Sequence, residues 1–223
     1  MDLADFTFIN EEFHAESVSP EDLGRLLAKG WRHFGTYFFR YSIAYHSLRF
    51  RRVIPLRIRL EDFSLSRSLR RIRRLNSKLD VSIRTSSLDE EKRRLFDAHK
   101  QRFSGPRPGS ILHFLDSEPG SVPCPGLEFC VRDEEGRMMA VSFADEADDS
   151  LSSVYAMFDP THSRRSLGIY TILLEIEHAK SLGKTFQYLG YAYEGSSFYD
   201  YKKRFSAIER FDWRGNWVKY EGS

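Results

Sequence analysis

The residues with the most chemical promise fall in one stretch. SSVYAMFDP, ending at Pro160, reads as a β-branched and aromatic strand, and FQYLGYAY, ending at Tyr193, as a second aromatic strand. Between them, RRSLGIYT opens an amphipathic helix through Arg165-x-x-Gly168-x-Tyr170. Glycine lets the backbone approach a ligand, and the free N–H groups of a helix start attract phosphate, so this order suits acyl transfer from a phosphate-bearing donor. Close helix–sheet packing is the plain alternative for Gly168. Tyr188 and Tyr191 point to opposite sides at period two, so one of them, with Tyr191 favoured, is expected to face a cleft and orient an amine or a leaving hydroxyl. Asp159 closes the preceding strand, where a carboxylate holds or deprotonates an ammonium, or simply makes an Asp-Pro turn. Glu175 and Glu177 share the helix, and the spacing does not say which faces a cleft; the lone His178 reads as packing or surface.

Charge is unevenly placed. The net charge is +2, yet Arg49 to Arg74 holds ten arginines against Glu61 and Asp62. A solvated basic face is the bland reading. Arginine without lysine favours bidentate phosphate contacts, and so nucleic acid.

These residues need elements to position them. Ser19-Pro20 opens a helix that Gly30 stops, and Trp31–Tyr45 alternates as a strand or hairpin. In Val53–Leu60, Ile54, Leu56, Ile58 and Leu60 face a core, with Arg57 and Arg59 side by side on the other face. Ser66 caps a basic helix to Leu75, Asn76 ends it, and a short strand follows near Leu79–Arg84. Ser87 is expected to cap the next helix. Breaks at Gly105–Ser110 and Glu118–Gly126 precede a hairpin of LEFCVRD and RMMAVSFAD. A helix from about Leu167 to Leu182 stops at Gly183; a strand, a short helix and an aromatic strand complete the chain. The expected fold is α+β (mixed α/β), with a smaller arginine-rich module over 1–85 and a larger unit over 86–223.

At 223 residues and 41% hydrophobic, the chain buries a sizeable core. It has no long apolar run, and an acidic start, MDLADF, so a soluble, cytoplasmic protein is expected. Cys124 and Cys130 alone provide neither a disulfide framework nor a four-cysteine metal site, and read as reduced structural thiols.

GWRHFG at Gly30–Gly35, IPLRIRLEDFSLSRSLRRIRRLNSKLD at Ile54–Asp80, VYAMFDP, RSLGIYTILLEIEHAKSLG, YLGY and YKKRFSAIE at Tyr201–Glu209 resemble the aminoacyl-tRNA-protein transferases, the arginyl- and leucyl-transferring enzymes of the N-degron pathway. The resemblance implies a GNAT-like core with a basic N-terminal module, and transfer of leucine or arginine from charged tRNA to the N-terminal amine of a protein or peptide whose first residue is acidic, Asp or Glu. Aminoacyl-tRNA is then a co-substrate, with no cofactor, metal or membrane partner. It places the donor at Arg165, Ser166, Gly168, Tyr170 and Tyr155, the acceptor at Lys202 and Arg204, and catalysis at Tyr191, Asp159 and Tyr188. Arg57, Arg59, Arg67, Arg70, Arg71 and Arg74 become the tRNA phosphate contacts. Two departures stand out. Arg49-Phe50-Arg51-Arg52-Val53 replaces the family's cysteine cluster, so no iron-sulfur cluster is expected there, and Ala192–Asp200 lacks the usual short basic motif. A coenzyme A-dependent N-acetyltransferase and a catalytically silent tRNA-binding relative are the alternatives.

Overall fold

A computed structural model describes residues 7–46, 49–103, 105 and 107–221. The acidic start and part of the GPRPGS break lie outside the described residues. In chain order the elements are β1 (Asn10–His14), α1 (Pro20–Ala28), β2 (Arg32–Phe34), β3 (Tyr37–Tyr41), β4 (Ile43–His46), β5 (Arg49–Arg59), α2 (Arg67–Leu75), β6 (Asp80–Thr85) and α3 (Glu90–His99). Then follow β7 (Gly126–Arg132), β8 (Met138–Glu146), β9 (Ser150–Phe158), α4 (Leu167–Ser181), β10 (Phe186–Tyr193), β11 (Ile208–Phe211) and β12 (Trp217–Lys219).

Local signals explain the helices. Ser19 and Ser66 accept the backbone N–H of Asp22 and Leu69 at the starts of α1 and α2, caps worth about 1 kcal/mol each. Asn76 ends α2, and its amide donates to the Ile72 and Arg165 carbonyls at 3.0 Å, tying the basic helix to the turn before α4. The helix expected from Ser87 starts later: Asp89 caps α3 by accepting from the Lys92 N–H at 2.8 Å. Ser87 is diverted because the buried Lys92 ammonium donates to its carbonyl and hydroxyl while pairing with Glu128 at 2.8 Å.

β1, β3 and β2 form a small antiparallel sheet. The large sheet runs β12-β11-β5-β10-β9-β8-β7-β6, with β4 hairpinned onto β5. The β7-β8-β9-α4-β10 order expected of a GNAT-like core is present, with α4 as the crossover between the parallel strands β9 and β10. The sheet also crosses residue 85, since β5 lies between β10 and β11, and β6 pairs with β7. One face packs α4 and α2, through Leu173, Ile176 and Leu69, on Leu56, Ile58, Phe129 and Leu189. Leu23 and Leu27 of α1 pack with Phe38 and Tyr188, and Leu95 and Phe96 of α3 with Phe143 and Met157. Fully burying each such side chain contributes about 1.5–3 kcal/mol.

Candidate active site

The parallel ladder between β9 and β10 is short. It joins Phe186–Tyr188 to Ser150–Ser152 and stops, although both strands continue. β10 bulges at this point: Tyr188 opposes Arg57 and Gly190 opposes Leu56, leaving Leu189 as the extra residue. Gly190 adopts φ +78°, a left-handed conformation that favours glycine, and a Cβ there would lie 3.4 Å from the Arg32 guanidinium. Arg32, from β2, is buried and donates to the Ser152 hydroxyl and the Ser153 carbonyl. A cation from the small sheet thus satisfies strand groups where the ladder ends.

Glu175 approaches from α4. It is 1% exposed, and its carboxylate accepts from the Ser153 hydroxyl and, at 2.9 Å, from the Gln187 amide. Burial raises its pKa to about 7, against the lowering effects of Ser153, Arg32 and Lys202. Lys202 is half-buried and donates to the Tyr191 carbonyl at 3.2 Å. Burial and then Arg32 push its pKa down to about 7, partly offset by Glu175. Tyr201 is also raised by burial, then by Tyr199 and Glu175. Nearby on β9, Tyr155 stacks on Phe114 with centroids 4.2 Å apart, and its buried hydroxyl has no protein partner. Two cations, one carboxylate of near-neutral pKa and the half-buried Ser153 hydroxyl therefore meet where the strands part. Such a set can hold an anionic group and move a proton at neutral pH.

The expected site residues distribute unevenly. Lys202 joins this cluster, whereas Arg204 is exposed at the end of the 3-10 turn Phe198–Arg204. Tyr188 and Tyr191 do not point to opposite sides: the bulge adds a residue between them, and both line one cavity of about 10 Å³ with Leu27, Gly30 and Arg32. The Tyr188 hydroxyl accepts from Arg57 at 3.3 Å, and the Tyr191 hydroxyl donates to the Gly30 carbonyl at 2.7 Å. Asp159 accepts from the Thr161 N–H and hydroxyl at 2.9 and 2.6 Å. Burial would raise its pKa, but these bonds and His162 hold it below the usual value.

At the start of α4, Ser166 takes φ +54° and Arg165 donates to the Leu75 carbonyl at 3.3 Å. Gly168 faces Phe158, where an added Cβ would stand 3.4 Å from the ring, an ordinary contact. Tyr170 is buried with Val131, Met139 and Leu167. Arg57 and Arg59 do share a sheet face, but both pair with Glu209 at 2.7 Å, and Arg57 lies between Phe186 and Trp217. The cations that remain exposed are those of α2: Arg67, Arg70, Arg71 and Arg74.

Sequence reasoning missed Arg32, Ser153 and Gln187 and left Glu175 undecided. Arg32 sits inside the quoted GWRHFG motif, an arginine amid aromatic alternation, which was its one visible signal. Glu177 is exposed and pairs with Arg73 at 3.3 Å.

A mixed sheet that parts beside a parallel pair, with α4 crossing between β9 and β10, defines a GNAT-like core. The family model for the arginine-tRNA-protein transferase C terminus matches residues 91–212. The chain is 34% identical over 160 residues to the aspartate/glutamate leucyltransferase of Paramagnetospirillum magneticum, covering 71% of this chain and 66% of that protein. The enzymes of the same name from Alcanivorax borkumensis and Alkalilimnicola ehrlichii are 31% and 32% identical, covering 86% and 91% of this chain and 78% and 83% of theirs. This chain belongs to the aminoacyl-tRNA-protein transferase family. Among solved structures, FemX is similar with a TM-score of 0.49 and 12% identity, over 80% of this chain and 61% of that one. L-PGS from Bacillus licheniformis is similar with a TM-score of 0.48 and 14% identity, over 72% and 59%. Among the described residues, no helix is long and apolar enough to cross a membrane.

Proposed function

We propose that this chain moves leucine from leucyl-tRNA to the N-terminal amine of proteins or peptides that begin with aspartate or glutamate, in the cytoplasm. The observation that carries this reading is the meeting of Arg32, Lys202 and Glu175 in the opening between β9 and β10. Lys202 receives the acidic side chain of the acceptor, a charge-assisted contact. The amine attacks the ester carbonyl, the bond to the tRNA ribose oxygen breaks, and the departing oxygen leaves as a hydroxyl. Ser153 passes the proton shed by the amine to Glu175, its hydrogen-bonded neighbour, and that proton then returns through Ser153 to the departing ribose oxygen, which regenerates the Glu175 carboxylate. The ester is already activated, so positioning supplies much of the rate, up to about 7–11 kcal/mol in well-oriented cases.

The donor's 3′ end takes the α4 start, with Arg165, Ser166 and the Gly168 backbone, and the unpartnered Tyr155 hydroxyl is a further polar contact for it. The exposed α2 arginines carry tRNA phosphates. Leucine is favoured over arginine by the names of the relatives. The test incubates the protein with leucyl-tRNA, arginyl-tRNA or acetyl-coenzyme A and peptides beginning with Asp, Glu, Ala or Lys. Leucine should appear on the Asp and Glu peptides alone. Arginine transfer, acetyl transfer, or indifference to the first residue would overturn the reading, and tRNA binding without transfer would favour a silent relative.

A further inference from the structure

We infer that His33, Cys124 and Asp145 form a site for one divalent transition-metal ion of the zinc type, which fastens β2 to β8 directly behind Arg32. The donors come from β2, from the loop before β7 and from β8. His33 Nε2 lies 2.8 Å from Asp145 Oδ2 and 3.9 Å from Cys124 Sγ. Among the described residues, this is the one group of three such donors whose ligand atoms all fall within 4.8 Å of one another. Tetrahedral zinc bonds to nitrogen, oxygen and sulfur imply donor separations of about 3.4–3.6 Å. His33 and Asp145 therefore need to part only slightly, and Cys124 to close slightly.

A second observation concerns the far side of the imidazole. His33 Nδ1 lies 2.9 Å from the Gly35 carbonyl, which can only accept, so Nδ1 carries a proton. A metal-bound histidine is typically held in this way, with its other nitrogen turned to the ion. All three side chains are buried, at 4%, 2% and 6% exposure. A thiolate and a carboxylate cancel the charge of a divalent ion, so the occupied cluster is neutral overall and suited to burial. The mixed sulfur, imidazole and carboxylate set selects zinc-like ions over magnesium or calcium. On binding, the thiol proton and the proton shared by His33 and Asp145 leave, and three protein bonds to the metal form; a water completes the set.

The consequence lies one residue away. Arg32 precedes His33 on β2 and reaches Ser152 and Ser153, so an ion at this cluster fixes the strand that delivers the cation. The site is tested without tRNA, so its failure is separate from failure of the transfer reaction. The full chain, reduced and stripped with chelator, is titrated with Co²⁺ and then Zn²⁺. The expected result is one Co²⁺ per chain with a near-ultraviolet thiolate-to-cobalt band, displaced by Zn²⁺, and a dissociation constant below about 10 μM. Cys124→Ser should abolish the band and weaken binding by about tenfold or more, whereas Cys130→Ser, which alters the other buried thiol, should change neither. No thiolate band in the natural chain overturns the site even if the variants fail to fold. Equal binding by Cys124→Ser does so as well.

Discussion

Glu175 and Glu177 are two residues apart on one helix and live in different solvents. Glu177 meets Arg73 at the surface, while Glu175 is enclosed and its pKa rises to about 7 through burial. Below that pH its carboxyl carries a proton and cannot accept another, so kcat at saturating acceptor should climb as pH rises through about 7, while KM for Asp- and Glu-initiated peptides rises over the same range as Lys202 loses its charge. Glu175→Gln should remove that climb, leave the one due to the acceptor α-amine near pH 8, and slow transfer by about 10²-fold or more, read from pH–rate profiles. The stability effect has the opposite sense. Between 4.5 and about 7 the unfolded chain releases the Glu175 proton while the folded chain keeps it, so stability falls as pH rises. The loss is at most roughly 3 kcal/mol. Thermal unfolding should then find Glu175→Gln more stable than the natural chain at pH 8 and equal to it at pH 4. Lys202→Met should raise KM for Asp- and Glu-initiated peptides about ten- to a hundredfold, with less effect on kcat and little on an Asn-initiated peptide. Helical spacing put both glutamates on α4 but could not rank them, because burial depends on where β9 and β10 part.

At the scale of elements, much of the chain was legible wherever the determinant was local. Ser66 and Asn76 bound α2, and Gly183 follows α4 at φ +69°, because caps and left-handed glycines act within one turn. Ser87 misled because Lys92, buried against Glu128 of β7, claims its carbonyl and hydroxyl oxygens. The Tyr188–Tyr191 alternation failed for a similar reason: the bulge that reverses it exists to seat Arg32 against Gly190, and no window of β10 contains Arg32. Two helices invite measurement. Replacing Arg70, Arg71 and Arg74 on α2 by alanine should weaken binding of charged tRNA and reduce its log–log salt slope by about three, since each phosphate contact accounts for about one unit. Gly168→Ala fits beside Phe158 and replaces a poor helix former, so α4 should gain up to about 1 kcal/mol. If the donor's 3′ end rests on this backbone, KM for leucyl-tRNA rises even as thermal stability improves; an unchanged KM would leave Gly168 a packing residue.

For the whole molecule, the decisive fact is where β5 goes. It leaves the N-terminal part, enters between β10 and β11, and pairs with both, and its Arg57 and Arg59 hold Glu209 of β11. Tyr191 binds the Gly30 carbonyl across the same divide, and Arg32 crosses it to reach β9. The sheet and the acid–base cluster both run across the boundary near residue 85 that charge and composition suggest. Residues 86–223 alone would expose the unpaired edges of β10, β11 and β7, together with Leu189, Ala192 and Ile208, which pack on Leu56 and Ile58. That fragment should fail to give a cooperative thermal transition and should aggregate, whereas the whole chain should unfold in a single step followed alike by near- and far-ultraviolet circular dichroism. Two separated transitions in the whole chain, or a monomeric fragment with native-like near-ultraviolet signal, would show instead that the N-terminal part is an attached module and that Arg32 reaches the site only by docking.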